Sequence, residues 1–374
     1  MLDIKDATEE ITFWDLTVFE KLISLDLTAA QVDGIIHPEL CFEDEESVLA
    51  IHWHPEMVNT STAVARIKAM FPRATESLII PTQHNNIMTC GNYAGAEVDC
   101  RASAFNRKIQ ILLHFEKNKI EGAHTLRTMI AHTGKYRSTQ LFEFMAAMCD
   151  PPFENLLQEA ARNTGAEENL IRFAAIQIRK LRRMIEEHPF NIDELSLKNK
   201  LLINYLNSQR DLYDDHIIDR TVIFAYGVKE IVKRRFRLDY FYEVREIIEE
   251  TRALGGGVIV PHPEQFWPVL LADYDVDGYE VWNPQSREYT EFLIQVVIKK
   301  NMTATGRMRP LMVVMGDDAH LGEKILEPEM QSPEKASREV GYQPAWQDPV
   351  IRESLMAGNF NKEKVIRDYK ERLH

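Results

Sequence analysis

No apolar run in this chain approaches the roughly 18 uninterrupted residues that a membrane-spanning helix needs. Cysteine is scarce: Cys41, Cys90, Cys100 and Cys149 are the only four in 374 residues. They are too few and too scattered for a disulfide framework, and nothing around Cys90 or Cys100 has zinc-ligand spacing. A basic excess is missing as well. Against 58 Asp and Glu stand 44 Lys and Arg, a formal charge of −14. Such a surface repels nucleic acid and anionic membrane as a whole, but leaves room for a local basic or metal-loaded cleft. The opening residues, MLDIKDATEEITFWDL, are acidic where a secretory leader is basic and then apolar, so a cytoplasmic chain is expected. Internal repeats and low-complexity segments are also lacking.

What remains is a globular composition, 45% hydrophobic and 27% charged, long enough for one large domain or several smaller ones. Residues 5–36 read as largely helical, with Phe13, Leu16, Phe19 and Ile23 recurring on one face. Three short strand-like stretches follow: SVLAIHWH (47–54), SLIIPTQHNN (77–86) and KIQILLHF (108–115). TAVARIKAMF (62–71), between the first two, has helical spacing. Strand, helix, strand is the order of parallel βα units. Over 124–250 the pattern turns helical throughout, with Ile171, Ala174, Ile178, Leu181 and Ile185 forming a stripe. Strands resume with GGGVIVPHPE, DGYEVWN and RPLMVVMGDDAH. The expected organisation is a discontinuous α/β domain (1–123 and 251–330), a helical insertion (124–250) and a C-terminal extension (331–374) with a final helix.

Polar residues collect at the ends of the apolar strands. His52 and His54 are one residue apart, so in an extended chain they point the same way, with Trp53 opposite, and Pro55 stops the strand. His84 ends IIPTQHN, Glu97 sits in AGAEVD, His262 ends VIVPHP, and Asp318 and His320 close MVVMGDDAH. Singly, each has a structural explanation: a strand terminator, a helix cap at Asp318, an ion pair between Glu97 and Arg101. It is the repeated strand-end placement that argues for a shared site. In an α/β barrel the C-terminal strand ends open on one mouth, and nitrogen and oxygen ligands gathered there would hold two or three transition-metal ions.

These motifs resemble the PHP (polymerase and histidinol phosphatase) superfamily of metal-dependent phosphoesterases. The likeness runs through His52-Trp53-His54, TQHN with His84, GAEVD with Glu97, and GGGVIVPHPE with His262. It continues through GYEVWN around Glu280 and Asn283 to GDDAH with Asp318 and His320. It covers roughly 45–123 and 240–325. The resemblance implies a distorted (β/α)7 barrel with two or three divalent ions of Zn, Mn or Fe. Glu97 would bridge two of them, and His52, His54, His84, His262, Asp318 and His320 would complete the shells; Glu97, Asp318 and His320 are the catalytic candidates. Three departures stand out. Ala50 and Pro55 replace the family's Asp before the first histidine and Ser or Thr after the second, and Gln110 stands where a further histidine ligand belongs. His114, four residues on, is the candidate replacement.

The expected substrate is a phosphorylated small molecule or nucleotide, with Arg101, Arg307 and Arg309 as candidates for holding phosphate. The basic runs RKLRR (179–183) and KRRFR (233–237) invite a nucleic-acid reading. Acidic stretches beside them favour a solvated charged face, and the insertion is a candidate lid or homo-oligomer interface. Two rival readings remain at this point. One is an amidohydrolase, which also begins with H-x-H but needs a carboxylated lysine that has no good candidate here. The other is a degenerate, non-catalytic module of the same type.

Overall fold

The computed structural model describes residues 2–303, 309–326 and 331–374. They form a mixed α/β chain that divides into two units. One comprises residues as far as Asp26 with Lys135–Arg237; the other comprises Leu27–Gly134 with Leu238–His374. Among the described residues no helix is long and apolar enough to cross a membrane.

The first unit is all helical. Its core takes in the stripe on helix Glu168–Glu187, where Ala174, Ile178, Leu181 and Ile185 are buried, together with Phe144, Leu202 and Phe224 from neighbouring helices. The single helical region expected over 5–36 is two helices, Phe13–Ile23 and Ala29–Ile36. Each start carries its own capping box, Thr12 with Asp15 and Thr28 with Gln31, and a helix begins where its free N–H groups are satisfied. The unit boundary at Asp26 falls between them. Phe13, expected on the buried face, is 86% exposed. The basic runs are ion-paired: Arg179 with Glu9, Arg182 with Asp150, Arg183 with Glu187, and Arg234 and Arg235 with Glu159.

Helices His124–Gly134 and Val244–Ala253, counted with the insertion from sequence, belong to the second unit. Their apolar faces (Leu126, Ile130, Ile247) share a core with Val98, Cys100 and Val258 on the strands. That unit contains β1 (Ser47–Ala50), β2 (Trp53–His54), β3 (Glu76–Ile79), β4 (Met88–Cys90) and β5 (Tyr93–Ala102). There follow β6 (Arg107–Glu116), β7 (Gly257–Val260), β8 (Gly278–Trp282), β9 (Met312–Met315) and β10 (Ala319–His320). β1 pairs with β3 and β2 with β10, both parallel, and the other six form one sheet in the order β4-β5-β6-β7-β8-β9. β7, β8 and β9 are parallel, whereas β6 runs against both β5 and β7.

The sheets are open, and among the described residues no continuous ladder closes a barrel. The expected βα alternation fails at β5 and β6. A short turn through Asn106, in the left-handed region at φ 48, joins them, and an antiparallel hairpin needs no crossover helix. Single links join the sheets at the strand ends: a parallel bridge between His84 and Glu97, and the Asp318 N–H donating to the His52 carbonyl at 2.9 Å. The first depends on Gly95, where a Cβ would stand 2.6 Å from the Pro81 carbonyl oxygen and 2.9 Å from that of Leu113.

The C-terminal extension is part of this unit. Val365, Ile366, Tyr369 and Leu373 on helix Lys362–Leu373 pack with Leu49, Leu78, Leu112, Ile259 and Val314 from the strands. Gln343 donates from Nε2 to the carbonyls of Leu49 (2.6 Å) and Met315 (2.7 Å).

Candidate metal centre

β1, β7, β8 and β9 are buried along their whole length, so their sequences are almost wholly apolar and chemistry can begin only where they end. His52 and His54 follow β1, His84 follows β3, His262 follows β7, and Asp318 and His320 follow β9. Glu97 comes from the middle of β5, reaching the same place through the bridge to His84. Two of these residues, His262 at φ 31 and Asp318 at φ 45, adopt the left-handed region, as do Glu56 (φ 54) and Asn85 (φ 49) beside them. Non-glycine residues rarely sit there, and such strain concentrates at functional sites.

Glu97, 1% exposed, is the hub. Its Oε1 lies 3.3 Å from His262 Nε2 and 3.8 Å from His52 Nε2; its Oε2 contacts His84 Nδ1 and lies 3.8 Å from His54 Nε2. On the other side, Asp318 Oδ1 lies 3.2 Å from His54 Nε2 and 3.5 Å from the Nε2 atoms of both His52 and His320. The His54 ring stacks between those of His84 (centroids 4.1 Å) and His320 (4.3 Å). The structure thus brings together His52, His54, His84, Glu97, His262, Asp318 and His320.

A second layer orients these rings. His52 Nδ1 is 2.5 Å from Glu280 Oε2, and Glu280 Oε1 accepts from Asn283 Nδ2 at 3.0 Å and from the His262 N–H at 3.2 Å. Because a carboxylate accepts, Nδ1 of His52 carries a hydrogen, which leaves Nε2 as the nitrogen open to a proton or a cation. That Nε2 is buried without a hydrogen-bond partner, facing Glu97 and Asp318. Glu56 Oε1 stands 3.2 Å from Nδ1 of His320 in the same way. A carboxylate on the far nitrogen of an imidazole is the usual support of a metal-binding histidine.

The electrostatics follow. Burial opposes charge on His52, yet Glu280 first, then Asp318 and Glu97, push its pKa up to about 10. Burial, reinforced by His84 and His320, drives that of His54 well below the usual histidine value. Burial alone would raise the carboxyl of Glu97, but His84, His262 and His54 hold it well below the usual range. Asp318 is likewise held down by His320, His54 and His52 against burial. Carboxylates kept ionised in a buried site draw positive charge, which a proton on His52 or a bound cation would supply.

The donor set fits divalent metal. Imidazole and carboxylate suit Zn, Mn and Fe, and His54 with His84 and His320, or His52 with His54 and Glu97, place ligand atoms within 4.8 Å of one another. Ligands about 2.0–2.1 Å from one tetrahedral ion stand about 3.3 Å apart. His54–Asp318 at 3.2 Å and His262–Glu97 at 3.3 Å match that edge, while His52 and His54 stand wider from Glu97 at 3.8 Å and the His84–Glu97 contact is closer.

Other candidates lie elsewhere. His114 is buried with both ring nitrogens engaged: Nε2 donates to the Ile51 carbonyl (2.9 Å) and Nδ1 accepts from the Tyr369 hydroxyl (2.7 Å). It is a core histidine and has no lone pair to give a metal. Gln110 lies opposite Asp99 in the ladder, on the face that carries Glu97. Arg101 pairs with Glu243 at 3.0 Å and is spent on that contact. Arg309 is exposed at the N-terminal end of β9, while Asp318 follows its C-terminal end. Arg307 lies outside the described residues. Sequence reasoning gave no role to Glu280, Glu56 or Arg338. Glu280 carried a readable signal, a carboxylate inside a strand otherwise apolar and buried, since such a group needs a partner.

No family model matches the chain, and no curated protein does. Among solved structures it is similar to a protein of Bifidobacterium adolescentis named as a proposed metal-dependent phosphoesterase, at 13% identity and a TM-score of 0.40. That match covers 84% of this chain and 97% of the other, and at such distance it is a weak structural link.

Proposed function

We propose that the chain is a metal-dependent hydrolase of phosphate esters, with a phosphorylated small molecule as substrate. The observation that carries this reading is the convergence of ring nitrogens from His52, His54, His84, His262 and His320 on the buried carboxylates of Glu97 and Asp318. Imidazole nitrogens and carboxylate oxygens gathered in one buried place are suited to hold a cation between them. Glu97 offers one oxygen toward His52 and His262 and the other toward His54 and His84, the arrangement of a carboxylate shared by two ions. His320 and Asp318 would complete the set.

Divalent ions held by these residues would supply a water acidified to a pKa of about 7 and neutralise phosphoryl oxygens. The chain's own residues fix the ligands: Glu280 sets the tautomer of His52, Glu56 that of His320, and the apolar strands exclude water from behind. A glutamate, Glu97, would take the bridging position, which favours this reading over an amidohydrolase and its carboxylated lysine. The order of strand neighbours supports a distorted (β/α)7 barrel of the PHP type, broken and with β6 reversed. β10 and β2 pair, β1 and β3 pair, His84 bridges to β5, and the ladder runs on from β5 to β9.

Metal analysis of the purified protein, with a panel of phosphomonoesters, phosphodiesters and amides assayed in Mn, Zn or Fe, tests the reading. Stoichiometric metal and phosphoester hydrolysis, both lost in the His52→Ala/His54→Ala double variant with the fold intact, are expected. A protein that binds no metal and hydrolyses nothing with any of the three would overturn it.

A further inference from the structure

We infer that Arg338, from the C-terminal extension, is a positioning residue of the metal centre, holding Asp318 so that only Oδ1 faces the imidazoles. The inference rests on the metal reading above and adds a residue outside its motifs. The Arg338 side chain is 1% exposed. Its Nη1 donates to Asp318 Oδ2 at 2.5 Å and to the Asp318 carbonyl oxygen at 3.0 Å. One guanidinium nitrogen therefore grips both the side chain and the backbone of a residue held at φ 45. Nη2 donates to Glu334 at 2.9 Å, which fixes the guanidinium plane.

The grip has rigid support. The next residue, Glu339, accepts from Arg66 Nε (3.1 Å) and Nη2 (2.9 Å) and from Lys324 (2.7 Å). Two residues further, the Gly341 N–H donates to Asp317 Oδ2 at 2.8 Å. A carboxylate with one oxygen committed to an arginine can bind an ion through the other oxygen only. Arg338 thus makes Asp318 a monodentate ligand and prevents it from turning to chelate one ion with both oxygens. Lysine would keep the charge but not the fork of donors.

The test measures metal affinity on the full chain, by manganese titration followed by electron paramagnetic resonance and by zinc competition with a chromophoric chelator. Arg338→Met is expected to weaken binding about 10- to 100-fold, the usual loss when an outer partner of a ligand is removed, and Arg338→Lys to fall between it and wild type. In an Asp318→Asn background, Arg338→Met should add nothing, because the arginine acts through that carboxylate. If Arg338→Met does not fold, Arg338→Lys carries the test through its affinity at unchanged metal-free Tm. Affinity equal to wild type, or the same loss with and without Asp318, overturns the inference while leaving the metal centre standing. Wild-type protein that holds no metal overturns both.

Discussion

His52 and His114 show how one residue type takes opposite roles according to its partners. His52 meets a carboxylate on one nitrogen and nothing on the other; His114 meets a carbonyl and a hydroxyl, which satisfy it. Glu280→Gln removes the anion that orients His52, and metal affinity is expected to fall about 10- to 100-fold, read by chelator competition. His114→Leu leaves the Ile51 carbonyl and the Tyr369 hydroxyl buried and unpaired, at a cost of about 1–3 kcal/mol each, measured by denaturant titration at pH 8. The pH dependence has a definite sign. Burial first, with His52 adding to it, pushes the His114 pKa down to about 3, against the bond to Ile51. The folded chain therefore refuses a proton that the unfolded chain accepts near pH 6.5. The contribution of His114 to stability is full above that pH and is lost as the pH falls toward 3. The gap between wild type and His114→Leu should close over the same window; a gap constant from pH 8 to 4 would count against this account. At this scale the residues that gather around Glu97 were legible, because H-x-H and D-x-H at strand ends are visible in one dimension. Their supports were not: Glu56 and Arg338 are ordinary surface-type residues until the fold brings them to His320 and Asp318.

Strands and helices set how closely those residues can approach. Gly316, just after β9, lies where a Cβ would overlap the Glu280 carboxylate and stand 3.0 Å from His52 Nδ1. Gly316→Ala must push that pair apart. The expected result is about 1–3 kcal/mol of destabilisation from overpacking, seen in denaturant melts with chelator present, together with weakened metal binding. Retention of wild-type affinity would show that the pair tolerates displacement. Helices were the more legible elements: the stripe from Ala174 to Ile185 is buried as its spacing predicts. The N-terminal helices were merged because apolar periodicity ran across the break, although both capping boxes were present in the sequence. β6 was read with the parallel units because it is a largely buried apolar run, and β5, with Glu97, Asp99 and Arg101 among its residues, was not set out among the strand-like stretches. Nothing in such a run records which way its neighbour points; that information lay in the short turn at Asn106.

For the molecule as a whole, ion binding and folding are linked. An ion that binds the folded chain and not the unfolded one stabilises it by about 2.7 kcal/mol at a hundred times its Kd, or about 5–10 °C in Tm for a unit of this size. Treatment with chelator should lower Tm by that amount, and Mn or Zn should restore it; melting curves that coincide with and without chelator would contradict the linkage. The division into a helical and an α/β unit was legible from the change in periodicity. Its borders were not, since helices His124–Gly134 and Val244–Ala253 carry the same amphipathic pattern whether they cover a sheet or join a bundle.

The candidate ligands are scattered along the chain: His54 and Asp318, 3.2 Å apart in space, are 264 positions apart in sequence. A ribosome adding roughly 5–20 residues per second needs roughly 13 to 50 seconds to travel that interval. Through that time His52, His54, His84 and Glu97 are without Asp318 and His320, and the set stays incomplete. The full set is complete only when translation has nearly finished, so a centre that uses all of it would certify that synthesis was completed and the distant pieces correctly assembled.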